Sequence, residues 1–490
     1  MSSEPDLVRL IPAWLELTSQ ADVDLGLQPE EGYSRAAKLL SQLRSGQTTA
    51  AATTLDAEQA EALHALVAMV CSNPENNLES VIADIEVAYT HLSSLSWPAD
   101  LLGGPSELLS RCAFQGWRVA CALDSWNEMT RWETRVCNVS RDSEQLDRLR
   151  AAARFVRPDS LTDKTLRIPE LLLVICHELR LKGETKPADV HDEAAALYAL
   201  LQSSAEMDGT SAERHYFLGE LALIAGTASR VAARFAEARQ WFQRAEASLS
   251  LLECVEAHKA RIAYQRLALA LVELNIDVAL AGAPKLLAEF RRLGMNEDAL
   301  KCAFLEGAAV WERGDVRRAI EIHLDILNEA ESRGNIRLVA MAAGNLARYF
   351  SEAGETETAL YYAQTALPLI KRVENRVTFV KLQWVIADLL RKQGNLPAAL
   401  EAYRSAQCSA RSLGMRGELA EIHLVVAELL LEAGEEDRAD QEIQAALPTI
   451  EEEKMVPQAI AALSLLRESL RRRQIDKQAL RDLHGYFQEK

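Results

Sequence analysis

The sequence predicts an all-α fold, an α-solenoid of stacked antiparallel helix hairpins, and three observations carry that expectation. Glycines recur on a 20-residue grid, alanines recur on a 40-residue grid, and the segments between them carry apolar residues at helical spacing.

The glycine grid runs through Gly294, Gly314, Gly334, Gly354, Gly394, Gly414 and Gly434, with Glu374 at the one place that breaks it. Glycine takes the left-handed conformation that ends a helix at little steric cost. Asp315, Asn395, Glu355 and Glu435 follow directly and suit the start of the next helix. Each 40-residue period therefore splits into two helices of roughly 15 residues separated by turns.

Five residues after every second glycine stands an alanine: Ala319, Ala359, Ala399 and Ala439. Ala279 lies 40 residues before Ala319, and the next match back, Ala238, is offset by one residue. The stretch MAAGNLARYFSEAGETETALYYAQTAL, residues 341–367, shows what the alanines do. Two antiparallel helices joined by a short turn approach closely only where their crossing point carries small side chains. A single hairpin cannot cover both of its apolar faces, so successive hairpins must stack. Roughly five or six such units fit between residues 211 and 470.

This pattern resembles the tetratricopeptide repeat. The matching positions are Gly307, Gly314 and Ala319; Ala347, Phe350, Gly354, Ala359 and Ala366; Ala387, Gly394, Ala399, Tyr403 and Ala406; and Ala427, Gly434, Ala439 and Ala446. The earliest unit matches through Gly226, Ala238, Phe242 and Ala245. The period of 40 exceeds that of the common repeat, the closing proline is missing, and Ala233 and Leu274 stand where a turn glycine is expected. The resemblance implies a right-handed superhelix and is similar to the long repeats of bacterial signalling ATPases, transcription activators and peptide-sensing regulators.

The resemblance also implies a binding surface, because first helices line the concave wall of such stacks. The residues it places there are Lys301, Phe304 and Trp311; Met341, Asn345, Arg348 and Ser351; Lys381, Trp384, Asp388 and Arg391; and Glu421 and Glu428. Asn345 resembles the asparagine that holds a peptide backbone in many such repeats, while capping of a local polar group is the plainer reading. Arg348, Lys381 and Arg391 give the middle of the wall a positive lining, and Trp311 and Trp384 are candidate aromatic anchors. Both tryptophans also suit the seal between one repeat and the next. The expected partner is a protein or peptide carrying an acidic segment.

The first 200 residues read as helical but less regular, with candidates at 5–18, 31–44, 56–71, 77–94, 106–122, 124–154, 168–182 and 189–204. Three domains are expected: an irregular or capping region over 1–205, the repeats over 206–470 and a C-terminal capping helix over 471–490. Trp117, Trp126 and Trp132 fall at helical spacing, which favours a core over a binding patch.

Composition narrows function. The chain has 490 residues and a formal net charge of -18, so its surface should repel nucleic acid and anionic lipid. The N-terminus lacks a basic start before an apolar core, and no run approaches the roughly 18 apolar residues of a membrane helix. A cytoplasmic protein is expected. The eight cysteines never form CxxC, and no two of the nine histidines pair at i+3 or i+4, so no metal site is expected. No cofactor loop of the GxxxxGK[ST] or GxGxxG type occurs.

Cys176 and His177 are adjacent, yet helical neighbours point about 100 degrees apart and cannot form a dyad alone. Arg471, Arg472 and Arg473 read as a solvated helix end. The expectation is thus a non-enzymatic scaffold or regulatory adaptor that holds a protein or peptide and controls a separately encoded effector. The alternatives are a thiol-dependent helical enzyme built on Cys176 and a self-assembling structural protein.

Overall fold

A computed structural model of the chain describes residues 38, 40–42, 78–94, 105–139, 143–157, 168–183, 186–204, 211–252, 255–372, 376–413, 415–452 and 477–488. Among these, every regular element is a helix. The chain divides into two compact units, residues 1–299 and 300–490.

Unit 1 holds α1 (Leu78–Ser94), α2 (Pro105–Ala122), α3 (Trp126–Val139), α4 (Ser143–Arg154), α5 (Ile168–Lys182), α6 (Pro187–Ser203), α7 (Ser211–Val231), α8 (Phe235–Leu249), α9 (Glu256–Val272) and α10 (Ile276–Arg292). Helix α11 (Asn296–Glu312) begins in unit 1 and ends in unit 2. Unit 2 continues with α12 (Val316–Ser332), α13 (Ile336–Glu352), α14 (Thr356–Arg372), α15 (Arg376–Lys392), α16 (Leu396–Leu413), α17 (Arg416–Glu432), α18 (Glu436–Glu452) and α19 (Lys477–Gln488).

The glycine grid does what the sequence implies. Gly314, Gly354, Gly394 and Gly434 end helices with φ between +75° and +92°. Ala233 and Leu274, which replace glycine at the same point of two earlier hairpins, are forced into the same region, with φ of +58° and +60°. Asp315 and Asn395 then cap the following helices by accepting from Arg318 N at 3.0 Å and Ala398 N at 3.3 Å. Asn335 caps α13 in the same way through Leu338 N. Glu374 and Gly414 lie outside the described residues.

Hairpin pairs pack as the alanines require: α7 on α8, α9 on α10, α13 on α14, α15 on α16 and α17 on α18. Ala238, Ala279, Ala319, Ala359, Ala399 and Ala439 are all fully buried. Within unit 2 the first helix α13 also touches the first helix α15, whereas the described second helices of that unit meet one another at most marginally. The layer that packs closer is the inner one of a curved stack, so first helices form the inner wall. In unit 1 first-helix contacts link α3, α5, α7 and α9, and there α4 also packs on α6.

Two sequence expectations need comment. Of the single helix expected over 124–154, the structure describes α3 and α4, and residues 140–142 between them lie outside the described residues. The candidates at 5–18 and 56–71, most of 31–44, and the arginines at 471–473 lie outside the described residues. Trp117 and Trp132 are buried, as the core reading holds, with Trp132 packed edge-on to Tyr89, whereas Trp126 is only partly buried beneath the Arg261 guanidinium.

Candidate functional site

The inner wall of unit 2 is built around α13. Its Leu338, Ala342, Leu346 and Tyr349 are buried, which leaves Met341, Asn345 and Arg348 on a partly exposed face. Behind that face, α12 contributes His323, which is fully buried between Phe304 and Tyr349 with edge-on ring contacts at 5.3 and 4.9 Å. Gly307 leaves the room this ring needs: a Cβ there would lie 2.4 Å from His323 Cε1.

His323 is held at both nitrogens. Its Nδ1 lies 3.0 Å from the Ala319 carbonyl and its Nε2 lies 3.0 Å from Asn345 Nδ2. Because the carbonyl can only accept and the amide nitrogen can only donate, the proton sits on Nδ1 and the ring is neutral. Burial pushes its pKa down to about 4 against the opposing pull of the Ala319 carbonyl. Asn345 is thus engaged with the core on its amide nitrogen.

Arg348 lies flat on the neighbouring repeat, with its guanidinium 4.0 Å from the Trp311 ring centre and 5.3 Å from that of Tyr349. Trp311 and Tyr349 stack at 5.9 Å and 27°. The Trp311 Nε1 donates to Glu352, which fixes the indole. A cation on an indole gains about 0.5–2 kcal/mol, depending on how dry the site is. Among the described residues no carboxylate pairs with Arg348, and its buried Nε has no hydrogen-bond partner. The cation is therefore positioned on the indole without a direct ion pair among the described residues, with the Glu352 carboxylate held on the same indole.

The structure brings Trp311, Asn345 and Arg348 into one cluster, joined through His323 and Tyr349. Lys381, Trp384 and Arg391 stand on the next first helix, α15. Lys381 is exposed, Trp384 is half-buried against the apolar cluster of α15–α18, and Arg391 lies 3.8 Å from Glu428 of α17.

Sequence reasoning missed a charged network in unit 1. Glu220 of α7 is fully buried, and its carboxylate receives Arg180 of α5 at 2.6 Å and Arg261 of α9 at 3.1 Å. Arg180 also reaches Glu133 of α3, and that carboxylate meets His177 Nδ1 at 2.8 Å. His258 Nε2 stands 3.0 Å from the Tyr216 hydroxyl and 3.4 Å from Glu220. Burial alone would raise the Glu220 carboxyl, but Arg261, His258 and Arg180 hold it down at about 2. Burial pushes His258 down to about 4.

A signal for this network exists in the sequence. Arg180, Glu220 and Arg261 are 40 and 41 residues apart, and the next 40-residue steps land on Lys301 and Met341, both assigned to the inner wall. Extending that register backwards past the one-residue offset finds all three. Glu133 and His177 carry no such mark.

Cys176 is buried beside this network, and burial pushes its thiol far above the usual range, so it supplies no thiolate near neutral pH. Among the described residues no group of three or more His, Cys, Asp or Glu side chains is placed to hold a metal ion. No described helix is long and apolar enough to cross a membrane.

No protein-family profile matches the chain, and no curated protein matches it in sequence. Solved structures do resemble it. NprR in complex with its cognate peptide NprX is 15% identical with a TM-score of 0.49, covering 76% of this chain and 94% of that one. A Rap protein complexed with competence and sporulation factor is 15% identical with a TM-score of 0.46, covering 76% and 100%. A signal-transduction ATPase with a tetratricopeptide repeat sensor from Pyrococcus horikoshii is 14% identical with a TM-score of 0.42, covering 91% and 75%. At these identities and TM-scores the likeness assigns neither family nor role, and it is the pairing of this chain's own helices that makes its fold a tetratricopeptide-like stack of hairpins.

Proposed function

We propose that the chain is a regulatory adaptor of the cytosol that holds an acidic segment of a protein or peptide partner against the inner wall of unit 2 and so controls a separately encoded effector. The observation that carries this reading is Arg348, a guanidinium fixed on Trp311 with no carboxylate of its own. A cation already ordered on an aromatic surface loses little conformational freedom when an anion arrives. Lys381 and Trp384 on α15 extend the same wall, with Arg391 of that helix already facing Glu428, and Trp311 and Trp384 supply apolar contact area beside the charges. Asn345 supports the wall from behind through His323.

The test is affinity capture from the source cell with the full chain, followed by mass spectrometry, against an Arg348→Gln variant. Arg348→Gln removes the charge while leaving the His323–Asn345 pair untouched, so circular dichroism should be unchanged. A partner recovered at least about tenfold less efficiently with the variant, and carrying an acidic segment, supports the reading, since one good anchor is worth ~2 kcal/mol. Equal recovery of every partner with both chains refutes it.

A further inference from the structure

Helix α19 is seated on the inner wall of its own unit. Leu480 is fully buried in the apolar cluster formed by α15–α18. One residue on, Arg481 Nε donates to Glu428 Oε1 at 3.3 Å, and His484 Nδ1 lies 3.6 Å from Glu428 Oε2. The His484 contact is the main cause that lowers the Glu428 carboxyl, with Arg391 and Arg481 adding to it. Glu428 is no arbitrary surface carboxylate: it stands 80 residues after Arg348 and 40 after Asp388, the same position of the repeat on three successive first helices.

The wall thus changes sign along its length. On α13 that position is a cation without a counter-ion, and on α17 it is an anion already covered by a basic helix. We infer that the inner face of α15 and α17 is a docking site for a short amphipathic helix of a partner protein. The helix it fits carries an apolar residue followed directly by arginine, with an imidazole four positions after the apolar one. Helix α19 is the chain's own occupant of the site, with Leu480, Arg481 and His484 as that pattern. The apolar residue enters the cluster, Arg481 and the His484 imidazole meet Glu428, and Arg391 lies 3.8 Å from the same carboxylate. A partner helix of this kind gains access by displacing α19.

The inference rests on the reading of first helices as the partner-facing wall, but it is centred on Glu428 of α17 and not on Arg348 of α13, and it concerns the opposite charge. The experiment uses the full chain, its Leu480→Asp/Arg481→Glu double variant to undock α19, and a fluorescein-labelled peptide spanning residues 477–490. Anisotropy should show the peptide binding the double variant at least tenfold more tightly than the wild-type chain. Adding Glu428→Lys should abolish that binding, and a peptide carrying Arg481→Glu should restore it on the Glu428→Lys background. Arg348→Gln should leave peptide affinity unchanged, so failure here is separable from failure of the acidic-partner reading.

If the double variant loses helical signal, amide exchange on the wild-type chain decides instead: excess peptide should speed exchange in the chain's own residues 477–488. Equal affinity for both chains, or exchange that does not respond to saturating peptide, overturns the proposal. A concentration-dependent dimer that vanishes in the double variant would assign the site to a second copy of this chain and also overturn it.

Discussion

Replacing His323 by phenylalanine should weaken unit 2 at neutral pH and strengthen it, relative to wild type, in mild acid. The imidazole is fully buried and held neutral, with a pKa of about 4 in the folded chain against 6.5 unperturbed. Below pH 6.5 the unfolded chain takes up a proton that the folded chain refuses. Stability therefore falls as pH drops from 6.5 towards 4 and levels off below that. The gap of roughly two and a half pK units corresponds to about 3 kcal/mol, most of it lost by pH 4.5. Phenylalanine keeps a ring between Phe304 and Tyr349 but gives up the bonds to Ala319 and Asn345, a loss of about 1–2 kcal/mol that does not depend on pH.

The two stability curves should therefore cross between about pH 5 and 6. Urea unfolding at pH 7, 6, 5 and 4.5, followed by amide exchange in α12 and α13, keeps the measurement on unit 2. Every other titrating group is common to both chains and cancels in the difference. Parallel curves without a crossing would refute the neutral, doubly bonded histidine and with it the explanation of Asn345.

Three further outcomes are expected. Leu274→Gly and Ala233→Gly should each raise stability in thermal melts by roughly 1 kcal/mol, since both residues sit at positive φ where glycine is unstrained; Gly354→Ala, at φ +81°, should do the reverse. Glu220→Ala should destabilise unit 1 by about 3–5 kcal/mol in denaturant titrations, because Arg180 and Arg261 lose a shared buried counter-ion. Under native conditions near pH 7, a maleimide reagent should label exposed Cys408 and leave Cys176 unmodified until the chain unfolds; selective labelling of Cys176 would revive the enzyme reading.

The hairpins were legible because their punctuation is local. A glycine needing positive φ and an alanine at a helix crossing each leave a mark at a fixed spacing, and Gly354 and Ala359 show both. Leu274 and Ala233 were visible only as gaps in that pattern, because a non-glycine residue in the left-handed region is strained and propensity argues against it. The site was legible in part. Asn345 is marked in the sequence as a groove residue, but its contact with His323 across 22 residues and two helices has no signature in either neighbourhood. The Arg348–Trp311 pair was named residue by residue, not as a pair. The seating of α19 on Glu428 escaped notice because the repeat register stops before it.

The chain of charges from Arg180 through Glu220 to Arg261 has a consequence for how such a protein can change over evolutionary time. Repeat arrays commonly lengthen or shorten by duplicating or losing whole modules, which is harmless where modules meet through interchangeable methyl groups. In unit 1, excising the forty residues around Glu220 would juxtapose two arginines, and copying them would bring two carboxylates together. Either change to the number of modules there sets like charges side by side in the buried interior, a cost that modules without such a charge do not carry.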